Sequence, residues 1–204
     1  MKNIVLSAAA IFCSTFAFAQ EEINVGDFNI LKVYDKIPVE LISSNENLVK
    51  VDGVNASDVQ VENNKGELKL KMTGTKLMQG GEATVKVYYK SLYEIQASQG
   101  SRIYSDDVVK SQALYLTSNE GSSIKLPIET SKLEVKINSG AEVILTGDTE
   151  FQTVIANSGG KYYSKTLNSD TASLTTNAGG VIDIYGNPTQ RNQKKLAGGK
   201  INFK

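Results

Sequence analysis

The chain has 204 residues, with 22 Lys and Arg against 22 Asp and Glu, and no His. Balanced charge excludes a basic nucleic-acid footprint and a polybasic membrane patch. Without His, and with Cys13 as the single Cys, the usual zinc and copper sites, Ser-His-Asp and Cys-His catalysis, and any internal disulfide are excluded.

Residues 1–19 read as a secretory signal peptide. Lys2 gives the positive start, Ile4 to Phe18 the apolar run, and Ala17-Phe18-Ala19 the small residues before cleavage, expected after Ala19. The run is short for a membrane span. Phe12 before Cys13 fits a lipidation signal poorly. Cleavage would remove Cys13, so the mature chain must be held by burial and backbone pairing alone. The expected destination is the periplasm or the cell surface.

Residues 20–27 form a polar lead-in segment, and a single domain is expected over residues 28–204. From Phe28 to Leu92 one strand follows another. Phe28 and Ile30 alternate with polar neighbours, as do Ile37, Val39 and Leu41, then Val59 and Val61, then Leu68, Leu70 and Met72, then Val85 and Val87. Asp52-Gly53, Asn63-Asn64-Lys65-Gly66 and Gly80-Gly81 mark turns. A short helical turn is expected near Lys76 to Gln79.

From about residue 93 to residue 204 the chain repeats. Asn119-Glu120-Gly121, Asn138-Ser139-Gly140, Asn157-Ser158-Gly159 and Asn177-Ala178-Gly179 follow Ser98-Gln99-Gly100 at Gly spacings of 21, 19, 19 and 20. Five residues before each Gly stand Ile95, Leu116, Val135, Val154 and Leu174; three after stand Ile103, Ile124, Val143, Tyr162 and Ile182. Polar residues separate the inward positions, as in a strand with one buried face. Each unit reads as strand, corner, strand and second turn, too small to bury its apolar face alone. Asn tolerates the left-handed backbone region. In a stack, its amides would also stand about 4.8 Å apart and bond in a ladder. The competing architecture is an antiparallel sandwich of hairpins. Constant offsets on both sides of the Gly favour the solenoid.

The segments Gly26-Asp27-Phe28-Asn29-Ile30-Leu31-Lys32-Val33-Tyr34 and Ile37-Pro38-Val39-Glu40-Leu41 carry a resemblance. Together with Leu68-Lys69-Leu70, the Asn-x-Gly units and Gly198-Gly199-Lys200-Ile201, they resemble the "putative auto-transporter adhesin, head GIN domain" family of Bacteroidetes-type bacteria, over about residues 26–204. The resemblance implies an all-β, right-handed parallel β-helix-like solenoid with an irregular strand-rich N-terminal half, exported to the periplasm or surface. It brings no catalytic residues, and the adhesin name is a fold-level analogy for function.

Carboxylates remain as candidates for chemistry. Asp106-Asp107, Asp148 and Asp183 are the acidic candidates. The nine-residue Gly-Asp period of calcium-binding rolls is absent, and Asp106-Asp107 and Asp148 read as turn residues bonding their own backbone. Gly80-Gly81 and Gly159-Gly160 lack the Lys-Ser/Thr continuation of a phosphate loop. Nine Tyr occur with no Trp; Tyr88-Tyr89 and Tyr162-Tyr163 put one ring on each face of their strands. Exposed rings can stack on sugars or anchor a partner. The plainer reading is β propensity. Asn55-Ala56-Ser57 matches a glycosylation sequon, which means little in a bacterial-looking chain.

The sequence therefore predicts an exported, non-enzymatic cell-envelope binding or adhesion module, with a polysaccharide or an envelope protein as ligand. The alternatives are a self-assembling structural protein and a polysaccharide-acting enzyme on a β-helix scaffold. No catalytic, cofactor-binding or metal residue is assigned. No cofactor, nucleic-acid partner or transmembrane segment is expected.

Overall fold

The computed structural model describes residues 21–74 and 83–204. The signal peptide expected at residues 1–19, the turn expected at Gly80-Gly81 and the helical turn expected near Lys76 to Gln79 lie outside the described residues.

The N-terminal half contains β1 (Glu21–Asn24), β2 (Ile30–Val33), β3 (Pro38–Ser43), β4 (Leu48–Gly53), β5 (Val59–Asn64), β6 (Glu67–Met72) and β7 (Ala83–Tyr89). One 3-10 turn, Ala56–Asp58, precedes β5. The repeat contains β8 (Glu94–Ala97), β9 (Arg102–Tyr104), β10 (Val109–Ser118), β11 (Ser123–Ile137), β12 (Glu142–Asn157) and β13 (Lys161–Ser164). It continues with β14 (Leu167–Asn177), β15 (Val181–Ile184), β16 (Gln190–Lys195) and β17 (Lys200–Phe203).

The repeat is a parallel β-solenoid of about six turns with rungs about 20 residues apart. Along one face Ile95, Leu116, Val135, Val154 and Leu174 stand in register. Along the second face Ile103, Ile124, Val143, Tyr162, Ile182 and Ile201 do the same. Both columns are buried and belong to one hydrophobic cluster that runs from Phe28 to Ile201. Burying each such side chain is worth about 1.5–3 kcal/mol, and this replaces the missing disulfides.

The two faces meet at the Asn-x-Gly corner, where the details differ from expectation. The residues with positive φ are the one after Asn and the Gly: Glu120 and Gly121 at 56° and 69°, Ser139 and Gly140 at 53° and 71°. The Ser122 N–H donates back to the Asn119 carbonyl at 3.1 Å, and Ala141 to Asn138 at 3.2 Å. Two left-handed residues inside such a bond make a type I′ turn. The Asn keeps ordinary backbone geometry and contributes its side chain. Asn138 Nδ2 donates to Asn119 Oδ1 at 2.9 Å, and Asn157 Nδ2 donates to Asn138 Oδ1 at 3.1 Å. The amide ladder is therefore present, while the left-handed role assigned to Asn falls on its neighbour.

The residue after the corner Gly is also constrained. Ser101, Ser122 and Ala141 are buried there, and Gly160, Gly180 and Gly199 fill it in later rungs. A Cβ on Gly180 would stand 2.1 Å from the Ala156 carbonyl oxygen.

The N-terminal half continues the same stack, out of sequence order. β2 pairs in parallel with β8 on one side and β6 on the other. β3 likewise lies between β9 and β7. The first rung in sequence is thus second in the stack. β5 then adds antiparallel to β6, and β4 antiparallel to β7. β1, inside the polar lead-in at residues 20–27, adds antiparallel to β4. These antiparallel strands cover the N-terminal end of the parallel stack.

One expected phase is corrected. Leu31 and Val33 of β2 are the buried residues, while Ile30 is only half-buried. The period that begins at Phe28 breaks at Asn29, and a one-residue slip exchanges the faces of a strand. Val59 and Val61 are half-buried because β5 is an edge strand.

Candidate binding groove

A third side of the solenoid is formed where β10, β11, β12 and β14 bend. Val109 pairs with Ile128, Ile128 with Gly147, and Gly147 with Leu167. Gly147 has φ 105°, and a Cβ there would lie 2.1 Å from the Ile128 carbonyl oxygen. The third side turns back to the first face at a stack of hydroxyls: Ser111, Thr130, Thr149 and Ser169 in register. Three donate to the carbonyl two residues ahead: Ser111 to Ala113 at 2.8 Å, Thr130 to Lys132 at 3.1 Å, and Thr149 to Phe151 at 3.2 Å. Ser169 instead accepts from the buried Gln152 amide at 2.5 Å. Gln152 in turn accepts from Tyr162 Oη at 3.1 Å. Burial pushes the Tyr162 phenol far above its ordinary pKa.

Over this corner lies an open groove of about 690 Å³. Lys110, Glu129, Asp148 and Asn168 form one row across the rungs. The corner residues Gln112, Ser131, Glu150 and Asp170 add further polar groups. Lys110 pairs with Glu129 at 2.7 Å, Asn168 donates to Asp148 at 2.9 Å, and Ser131 donates to Glu150 at 3.1 Å. The lining carries four carboxylates and one ammonium, so its field is negative. Phe151 follows Glu150 in sequence and is 53% exposed on the first face. Its register partner Lys132 lies 5.7 Å from the centre of the Tyr115 ring, which is 37% exposed. Phe151 thus stands exposed next to a groove residue, while Tyr115 lines a separate, smaller hollow with Glu94, Glu134 and Lys136.

The carboxylates singled out from sequence do not converge. Asp107 accepts from the Ser43 N–H at 3.0 Å, and its own N–H bonds Ser105 at 3.1 Å, as a turn residue does. Asp148 lies within β12 and opens into the groove, so its reading as a turn residue is corrected. Asp183 is buried on the second face. Burial alone would raise its pKa, but bonds from Lys204 at 2.6 Å and Asn202 at 2.7 Å outweigh this and hold it below the ordinary range. Among the described residues no group of three or more His, Cys, Asp or Glu is placed to hold a metal ion. Tyr89 and Tyr162 point inward, while Tyr88 and Tyr163 are half-buried, as alternation requires. The aromatic Phe151 and the groove residues Glu150 and Asp170 were missed. The hydroxyl spacing of 19, 19 and 20 along Ser111, Thr130, Thr149 and Ser169 was the available signal.

The sequence profile of the family described as "Putative auto-transporter adhesin, head GIN domain" matches residues 27–199. The chain belongs to this family. No curated protein matches it. The head GIN domain shares its fold with solved structures of low identity. A putative adhesin from Bacteroides fragilis NCTC 9343 has a TM-score of 0.81 at 14% identity, covering 93% of this chain and 98% of its own. A putative adhesin from Parabacteroides merdae ATCC 43184 has a TM-score of 0.66 at 15% identity, with 92% and 96% covered. A putative lipid binding protein from Parabacteroides distasonis ATCC 8503 has a TM-score of 0.67 at 14% identity, with 91% and 96% covered. At such identities the likeness shows the fold alone. The family name supports an adhesion-like role and implies an exported or surface protein. Among the described residues no helix is long and apolar enough to cross a membrane.

Proposed function

We propose that this head GIN domain is an exported, non-enzymatic adhesion module that binds a polysaccharide of the cell envelope. Residues 28–204 act as one domain, after removal of residues 1–19. The observation that carries the reading is the groove of about 690 Å³ over the hydroxyl corner, with Phe151 beside it. Sugars are recognised by aromatic faces against their C–H surface and by polar groups that bond their hydroxyls. The groove offers carboxylate acceptors, the Asn168 amide and the Ser131 hydroxyl on successive rungs about 4.8 Å apart. A linear polymer can engage such a row of polar groups together. Because the lining is acidic, neutral or amine-bearing sugars suit it and polyanions do not.

The test is a glycan array probed with the mature protein, with neutral, amine-bearing and carboxylate-bearing polymers side by side. Retention of neutral or amine-bearing chains, weakened by a Glu150→Gln, Asp170→Asn double variant for the amine-bearing set, is expected. Selective retention of polyanions, or no glycan retention with a protein captured instead, would overturn the polysaccharide reading.

A further inference from the structure

We propose that the β16–β17 rung is a terminating cap that refuses the axial addition of a strand from a second copy of this chain. The inference stands independently of the adhesion reading. A parallel solenoid presents unpaired backbone at an end strand, which is a template for another chain. β16 pairs with β14 on one side, and its six residues are all exposed.

The inward columns change chemistry at this rung. In register with buried Ala172, Leu174 and Thr176 stand Arg191, Gln193 and Lys195. In the rungs before, the same columns hold Leu114, Leu116 and Ser118, then Leu133, Val135 and Ile137, and no charged residue. The column of corner Asn residues, whose ladder bonds run from Asn119 to Asn157, has no member at this rung. The corner after Asn177 holds Leu196, whose N–H bonds the Thr176 carbonyl at 2.9 Å and whose side chain has no amide to pass on.

The polar residues are spent on closing the end. The Arg191 guanidinium lies 4.3 Å from the centre of the Phe203 ring and bonds the Pro188 carbonyl at 3.0 Å and the Asn187 side chain. Lys195 Nζ reaches the Ile201 carbonyl at 3.3 Å. These groups cover the last apolar side chains with charge, as the outer face of a capping repeat does. Residues 190–204 carry Arg191, Lys194, Lys195, Lys200 and Lys204 and no Asp or Glu. Two such ends would repel each other.

The decisive experiment restores the column. An Arg191→Leu, Gln193→Val, Lys195→Val variant should associate with rising concentration in sedimentation velocity, with new hydrogen-exchange protection in β16. A matched variant on the outward positions, Gln190→Leu, Asn192→Val, Lys194→Val, gains the same apolar character on the side face and should stay monomeric. A folded inward variant that remains monomeric, or equal association of both, overturns the proposal. Should the inward variant not fold, the native chain decides: fast exchange of the β16 amides at high concentration and in molar salt supports the cap. Protection appearing in β16 with concentration overturns it.

Discussion

Asn138 occupies the middle of the corner ladder, donating to Asn119 and accepting from Asn157. Replacing it by Leu leaves both neighbours without an amide partner at a half-buried corner, a cost of about 1–3 kcal/mol. Lys136, two residues earlier, is exposed, and Lys136→Ser should cost about 0.5 kcal/mol or less. Urea melts of the two variants measure the difference. Gly147 and Gly121 form a second contrast. Both have positive φ, so Ala at either position is strained by about 1–2 kcal/mol. At Gly121 a Cβ meets nothing within 4 Å, whereas at Gly147 it meets backbone at 2.1 Å. Gly147→Ala should therefore be the more damaging by well over 1 kcal/mol in the same melts. At this scale the sequence displayed the Asn and Gly of each corner but not their division of labour. The left-handed residue before Gly takes many identities, among them Gln99, Glu120, Ser139 and Ala178, and so leaves no compositional mark.

Elements were legible where they repeat. The inward columns of β8 to β15 follow from the fixed offsets around Gly, because stacked rungs impose one period on all of them. The first rung escaped the pattern. Its corner places Asp35 and Lys36 at φ 58° and 62°, the same turn without Asn or Gly, and β2 runs in the opposite phase from that expected. Nor does any local signal say that β6 and β7 slip outside β2 and β3, since that order is set by which strand edges remain free. β7 carries an exploitable detail. The Tyr89 hydroxyl is buried without a partner, and burial, with the nearby Asp107 charge adding to it, pushes its pKa up to about 12. A folded pKa above the unfolded one gives stability fully present below about pH 10 and lost as pH rises through about 12. Tyr89→Phe should be within about 1 kcal/mol of the parent at neutral pH, because no bond is lost. It should also lose part of the alkaline destabilisation, as followed by melts from pH 8 to pH 12.

The whole molecule is a column with three sides and two unlike ends. Antiparallel strands cover the N-terminal end of the parallel stack, and the last described rung is cationic. The sides differ. On the second face Tyr104 is exposed and Tyr163 half-buried; the hydroxyl corner carries the polar groove of about 690 Å³, with Phe151 exposed beside it. The family and fold were readable from the sequence, since strand patterns and corners are local. The groove was not, because Glu129, Asp148, Glu150 and Asp170 meet only when rungs stack about 4.8 Å apart. The most direct measurement is a calorimetric titration of the native protein with oligosaccharide chains of a neutral and an amine-bearing sugar. It is repeated on Phe151→Ala at the groove edge and Tyr163→Ala on the second face. Loss of affinity by about tenfold or more in Phe151→Ala, with Tyr163→Ala unchanged, is the expected result. Affinity that survives Phe151→Ala and falls in Tyr163→Ala would contradict the account and move the binding surface to the second face.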